Sequence, residues 1–146
     1  MDRWSISVPG VPSMVPVARL FVRAFLGDNS LAETAELITS EYATNAIRHT
    51  AAGEGGAIQV VVIAGPDLVR IEVTDHAPLE AVRAWPPTPG PVPQVTQAGE
   101  DDESGRGLLL VDAIADRWGH DGVAGHRTAW AEIRAPRGGA VIAGTG

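Results

Sequence analysis

Two Val- and Ile-rich segments, Ile58 to Ala64 and Leu68 to Thr74, are separated only by Gly65-Pro66-Asp67, and no other stretch constrains the fold as strongly. β-Branched residues suit a pleated surface, and a Gly-Pro-Asp break between two apolar runs is a turn signal. A β-hairpin of two central strands is therefore predicted. Such a hairpin needs a second layer to cover its apolar face.

The residues for that layer lie upstream. Val17, Phe21, Ala24 and Phe25 recur at three- and four-residue spacing within Val15 to Leu26, which predicts an amphipathic helix ending near Gly27. Ser30-Leu31-Ala32-Glu33 has the capping-box form, in which the Ser and Glu side chains satisfy free backbone donors at a helix start. A second helix of about 20 residues is expected from there to His49 or Thr50. Its apolar stripe is Leu31, Ala35, Ile38, Tyr42 and Ala46, with Glu41 and Asn45 four apart beside it. Ahead of both helices, Trp4 to Val8 alternates apolar and polar as a short strand does, until Pro9 to Pro12 breaks it.

Downstream, residues 78–104 lack periodicity, with five Pro between Pro86 and Pro93 and the acidic run Glu100-Asp101-Asp102-Glu103. An insert of this kind is a lid or a disordered segment. Gly105-Arg106-Gly107 is expected to open a third helix with Leu108, Val111, Ala115 and Trp118 on its apolar face and Asp112 and Asp116 on its solvated edge. A last pair of strands, His120 onward and Arg127 to Arg134, is expected to join through residues 121–125. The Gly- and Ala-rich tail, 135–146, reads as flexible. The order predicts one domain over residues 1–146 with an α+β fold: a two-layer α/β sandwich whose mixed, mostly antiparallel sheet is covered on one face by helices.

Composition removes several function classes. The 11 basic residues are all Arg, and 18 acidic residues bring the formal charge to −7. No basic run exists to track a phosphate backbone, so nucleic acid is not an expected partner. Without Lys there is no Walker A lysine, and without Cys there is no thiolate nucleophile and no disulfide. Apolar runs such as Val60 to Ala64 fall far short of the roughly 18–20 residues that span a bilayer. No apolar leader follows Met1-Asp2-Arg3-Trp4, so a soluble cytoplasmic protein is expected, with no membrane association.

Four groups could carry chemistry. Glu41 and Asn45 put a carboxylate and a carboxamide on one helix face. The Asn oxygen suits a Mg²⁺ shell completed by phosphates and water, and the Glu suits proton transfer; the same spacing also fits an ordinary solvated face. Asp75, at the end of a buried strand, could accept a hydrogen bond from an exocyclic amine, or could simply terminate the strand. Gly105-Arg106-Gly107 offers free amide donors at a helix start, a ready anion site, and equally a glycine hinge. His49, His76, His120 and His126 lack compact metal-ligand spacing and read as surface or loop residues.

Taken in order, these segments resemble the GHKL superfamily of ATPases and kinases, with its Bergerat nucleotide fold. Within it they look most like the small single-domain anti-sigma-factor serine kinases. Glu41 to His49 resembles the N box, Val73-Thr74-Asp75 the G1 box and Gly105-Arg106-Gly107-Leu108 the G2 box, while Thr128 matches a Thr that supports adenine recognition. The resemblance spans roughly residues 4–134. It implies that Asn45 holds Mg²⁺, Asp75 receives the adenine amine, Gly105, Arg106 and Gly107 cradle phosphates, and Glu41 acts as the catalytic carboxylate. ATP and Mg²⁺ are the implied cofactors. An anti-anti-sigma protein of the STAS type is the implied phosphoacceptor, a sigma factor the competing ligand, and a homodimer is possible. One departure stands out: the usual Asp-x-Gly-x-Gly is here Asp75-His76-Ala77-Pro78, with no Gly. The alternative reading is a non-catalytic module that binds nucleotide or sequesters a partner.

Overall fold

The computed structural model describes residues 1–49, 55–78, 109–123 and 125–136. Strand β1 (Asp2–Pro9) leads through a short 3₁₀ turn (Pro12–Met14) into α1 (Val15–Leu26) and α2 (Ala32–His49). Strands β2 (Ala57–Ala64) and β3 (Leu68–His76) follow, then a helical segment α3 (109–114), β4 (Arg117–Val123) and β5 (His126–Arg134). The five strands form one sheet in the order β1-β2-β3-β5-β4. All four pairings are antiparallel, so the expected α+β sandwich is present with a wholly antiparallel described sheet.

The β2–β3 hairpin is central, as the Val and Ile runs predict. Ile58, Val60 and Val62 lie on the same face as Val69, Ile71 and Val73, and all six are buried against the helical layer. From α2, Ala35, Ile38, Tyr42 and Ala46 fill the other side of this core, so the predicted stripe is the packed one. α1 closes the layer over β1 and β2, where Phe25 meets Trp4 with ring centroids 5.3 Å apart. It ends at Gly27, whose φ of 56° favours a residue without a Cβ.

The entry to α2 differs in detail from the capping box. Asn29 Oδ1 accepts from the Leu31 N–H at 2.8 Å, and the Asn29 carbonyl accepts from the Ala32 N–H at 3.0 Å. An Asn side chain can fold back on the backbone two residues ahead, so Asn29 takes the place expected for Ser30.

One hydrogen bond ties the layers together near the site. The buried Tyr42 hydroxyl donates to the Trp130 carbonyl of β5 at 2.9 Å, and burial raises the phenol pKa. Tyr42→Phe keeps the ring and removes that bond, leaving a carbonyl without its partner. A loss of about 1 kcal/mol is expected in urea unfolding, with no change in secondary structure.

The C-terminal half corrects several boundaries. Trp118 is not on the third helix. It lies on β4 and donates its indole N–H back to Asp112 Oδ1 at 2.8 Å. Ala115 and Asp116 also fall beyond the helix, and Asp116 accepts from the Arg134 N–H at 2.7 Å while its own N–H donates to the Glu132 carbonyl. These two carboxylates clamp the passage from α3 to β4; both are exposed, as expected of a solvated edge, but only Asp112 lies on the helix. β4 runs on to Val123, which pairs with His126, so the connection expected over 121–125 contracts to residues 124 and 125. The predicted lid from residue 79 onward, Gly105, Arg106, Gly107 and the tail beyond residue 136 lie outside the described residues.

The sheet's second face carries a polar ladder. Arg70 donates to Glu72 and to Glu132, each at 2.7 Å, with its guanidinium 4.4 Å from the Trp130 ring centroid. Gly119 lies against that ring, and a Cβ there would sit 2.9 Å from the indole, so the Trp130 side chain would have to shift. No helix among the described residues is long and apolar enough to cross a membrane.

Candidate functional site

Side chains alternate between faces along a strand, so pairing register decides which residues can meet. On the helix-covered face, Asp75 of β3 stands opposite Arg127 of β5, which stands opposite Gly122 of β4. The next row on that face is Val73, Ala129 and His120. Above these rows lie Tyr42, Asn45 and Ala46, one turn apart along α2.

All of these except Gly122 line one pocket, Thr128 lines it as well, and the predicted pair Asn45 and Asp75 meets in it. Both are buried, at 5% and 2% exposure, so neither is a surface polar residue. Asp75 belongs to the strand, which continues to His76, and its Oδ1 accepts from the Arg127 backbone N–H. Its other oxygen, Oδ2, is closed off from solvent with no hydrogen-bond partner among the described residues. A buried carboxylate oxygen in that state is costly for the fold unless a donor arrives. Glu41 lies half-buried one turn before Asn45 on the same helix, outside the pocket lining.

Thr128 does not bring its hydroxyl to Asp75. It pairs with Thr74, and the two Oγ1 atoms are 2.7 Å apart on the opposite face of the sheet. Only its neighbours Arg127 and Ala129 turn their side chains towards Asp75. The buried positions show why: counting back in twos from Ile133 and Ala131 reaches Ala129 and then Arg127.

Three pocket residues escaped the sequence reading in their roles. Tyr42 was legible only as core, Arg127 was passed over by one position, and His120 reads as a surface histidine until β4 is paired. His120 is within ring contact of Tyr42, at 6.2 Å between centroids, and of Trp118, at 5.7 Å. Burial lowers its pKa, with Asp121 acting weakly in the opposite sense, so the imidazole is neutral at pH 7. Its Nε2 is buried with no hydrogen-bond partner among the described residues.

The donor set fits the base end of an adenine nucleotide. An unpartnered carboxylate oxygen can accept the exocyclic amine, over an apolar floor of Val73 and Ala129. The cavity is about 30 Å³, room for a couple of waters at roughly 10–15 Å³ each and less than a purine occupies. No group of three or more His, Asp or Glu able to hold a metal occurs among the described residues. A Mg²⁺ held by Asn45 would therefore take its other ligands from phosphate and water.

An uncharacterized protein of Streptomyces coelicolor is 40% identical over 80 residues, covering 55% of this chain and 66% of that protein. This chain thus spans just under two thirds of that relative's length. Residues 8–128 match the family described as the histidine kinase-like ATPase domain, a stretch running from the end of β1 into β5. Because that match embraces α2 with Asn45, the β3 end with Asp75 and the paired strand β5, the chain belongs to the histidine kinase-like ATPase domain family, of the GHKL type.

Proposed function

We propose that this chain is an ATP- and Mg²⁺-binding protein serine kinase of the anti-sigma-factor type, acting on an anti-anti-sigma protein of the STAS type, with a sigma factor as competing ligand. The observation that carries this reading is the convergence of Asn45 and Asp75 in one buried pocket within the family match over residues 8–128. Bound ATP supplies the transferable phosphoryl group. Asp75 Oδ2 would accept the adenine amine, Asn45 would hold Mg²⁺, and the resemblance implies that Gly105, Arg106 and Gly107 would bind the phosphates. Glu41 would receive the proton of the partner's serine hydroxyl as its oxygen bonds to the γ-phosphorus and ADP leaves, and positioning with charge neutralisation would supply most of the rate.

Calorimetric titration with ATP, with and without Mg²⁺, tests the binding half on the wild type and on Asn45→Ala. Mg²⁺-dependent binding is expected in the wild type and is lost in the variant. Absence of binding up to millimolar ATP would overturn the nucleotide reading. Glu41→Gln then tests the transfer half: it should bind ATP nearly as the wild type does but transfer no phosphate to serine, and persistent transfer would remove Glu41 from that role.

A second reading, a non-catalytic module that sequesters its partner, is favoured by the small cavity and by Asp75-His76-Ala77-Pro78, which lacks the glycines that let backbone approach a base closely. Retention of a STAS or sigma-like partner without phosphate transfer would select it.

A further inference from the structure

We infer that His120 is a second base-contacting residue, donating a hydrogen bond from Nε2 to a ring nitrogen that flanks the purine amine. The inference rests on the adenine reading of the pocket and adds to it a specificity-determining side chain from β4, outside the Asn and Asp motifs.

Three observations point the same way. His120 lines the same cavity as Asp75, from the other side of Ala129. With neighbouring strands about 4.8 Å apart, β3 and β4 stand roughly 10 Å from each other across β5, a span that two side chains reaching inward can narrow to the separation of an amine and its neighbouring ring nitrogen. On β5 between them, Ala129 stands opposite His120 and Arg127 stands opposite Asp75, and both line the cavity. And both His120 Nε2 and Asp75 Oδ2 are buried polar atoms without partners among the described residues, on two side chains that line one cavity. Protein interiors seldom leave two such atoms unmet in one place, and a shared ligand meets both.

The chemistry is complementary. Adenine presents an amine donor flanked by acceptor nitrogens, N1 on one side and N7 on the other. A carboxylate oxygen supplies the acceptor for the amine, and a neutral imidazole with its proton on Nε2 supplies the donor for a flanking nitrogen. We assign the proton to Nε2 because a donor is what that edge lacks. Tyr42 and Trp118 hold the ring edge-on, at interplanar angles of 62° and 82°, so the imidazole has little freedom to turn away.

The test is a titration of the full chain with ATP, 1-deaza-ATP and 7-deaza-ATP, in which one ring nitrogen at a time becomes C–H. The wild type should bind one of the two analogues about tenfold more weakly than ATP, equivalent to about 1.4 kcal/mol. His120→Phe keeps the aromatic packing but has no donor, so it should bind ATP about tenfold more weakly and no longer distinguish that analogue. His120→Gln, whose amide can donate, should recover part of the discrimination. Equal binding of all three nucleotides by the wild type would overturn the inference while leaving the ATP site standing. A deaza penalty that persists in His120→Phe would also overturn it, assigning the contact to another group such as Arg127. If the wild type binds no ATP, the nucleotide reading falls and this one with it. The wild-type comparison stands even where a variant folds poorly.

Discussion

Asp75→Asn is expected to weaken ATP binding by about 100-fold, roughly 2.7 kcal/mol, while leaving the melting temperature unchanged or slightly raised. The asymmetry follows from the two carboxylate oxygens. Oδ1 accepts the Arg127 backbone N–H, whereas Oδ2 is buried without a partner among the described residues. An Asn amide has one acceptor and one donor group. If its oxygen stays on the Arg127 N–H, its NH₂ opposes the adenine amine. If it flips, the NH₂ opposes the backbone N–H instead. Neither orientation serves both partners, so the charge-assisted bond to the base is lost. The free protein, however, no longer buries a carboxylate that lacks part of its hydrogen bonding, a change that favours the folded state. Calorimetry with a parallel thermal melt reads both quantities. Undiminished ATP affinity would take Asp75 out of base recognition, and a large drop in melting temperature would make it a structural residue.

The second large effect is on the fold itself. Gly122→Ala is expected to destabilise the protein by about 3 kcal/mol or more, lowering the melting temperature by about 10 °C. Gly122 has φ of 103°, and an added Cβ would lie 2.3 Å from the His126 carbonyl oxygen and 3.0 Å from Arg127 Cα. Both obstacles are backbone atoms, so no side-chain rotation relieves them. The strand ladder would have to part where β4 pairs with β5, and these two strands carry His120 and Arg127 into the pocket. Nucleotide affinity should fall along with stability. A melting temperature within about 2 °C of the wild type would mean that β4 and β5 pair differently there.

The elements that periodicity could reach are those whose apolar side chains repeat often enough to be read. α1, α2 and the β2–β3 hairpin are of this kind, because each buries one continuous face on a single partner layer. β4 is different. Among the described residues it is an edge strand, paired only with β5, and its inward positions are Trp118, His120 and Gly122, which give no apolar alternation. Val111, Ala115 and Trp118 happen to keep helical spacing, so the third helix reads too long and the strand too short. His120 is expected to begin a strand, but its face is fixed only by the pairing with Ala129 that turns it into the pocket.

The sequence by itself determined the layer architecture, the central hairpin and the placement of Asn45 on a helix and Asp75 near the end of β3. These follow from local patterns: apolar period, glycine and proline breaks, and the position of a polar residue within a run. Only the tertiary structure decided which side chains share the pocket. Arg127 faces Asp75 and Thr128 faces away because β5 pairs with β3 in one register, and a shift of a single residue would exchange them. That register is set by burial of Ala131 and Ile133 beneath the helical layer, a contact between segments more than 80 residues from α2 in sequence and adjacent only once folded.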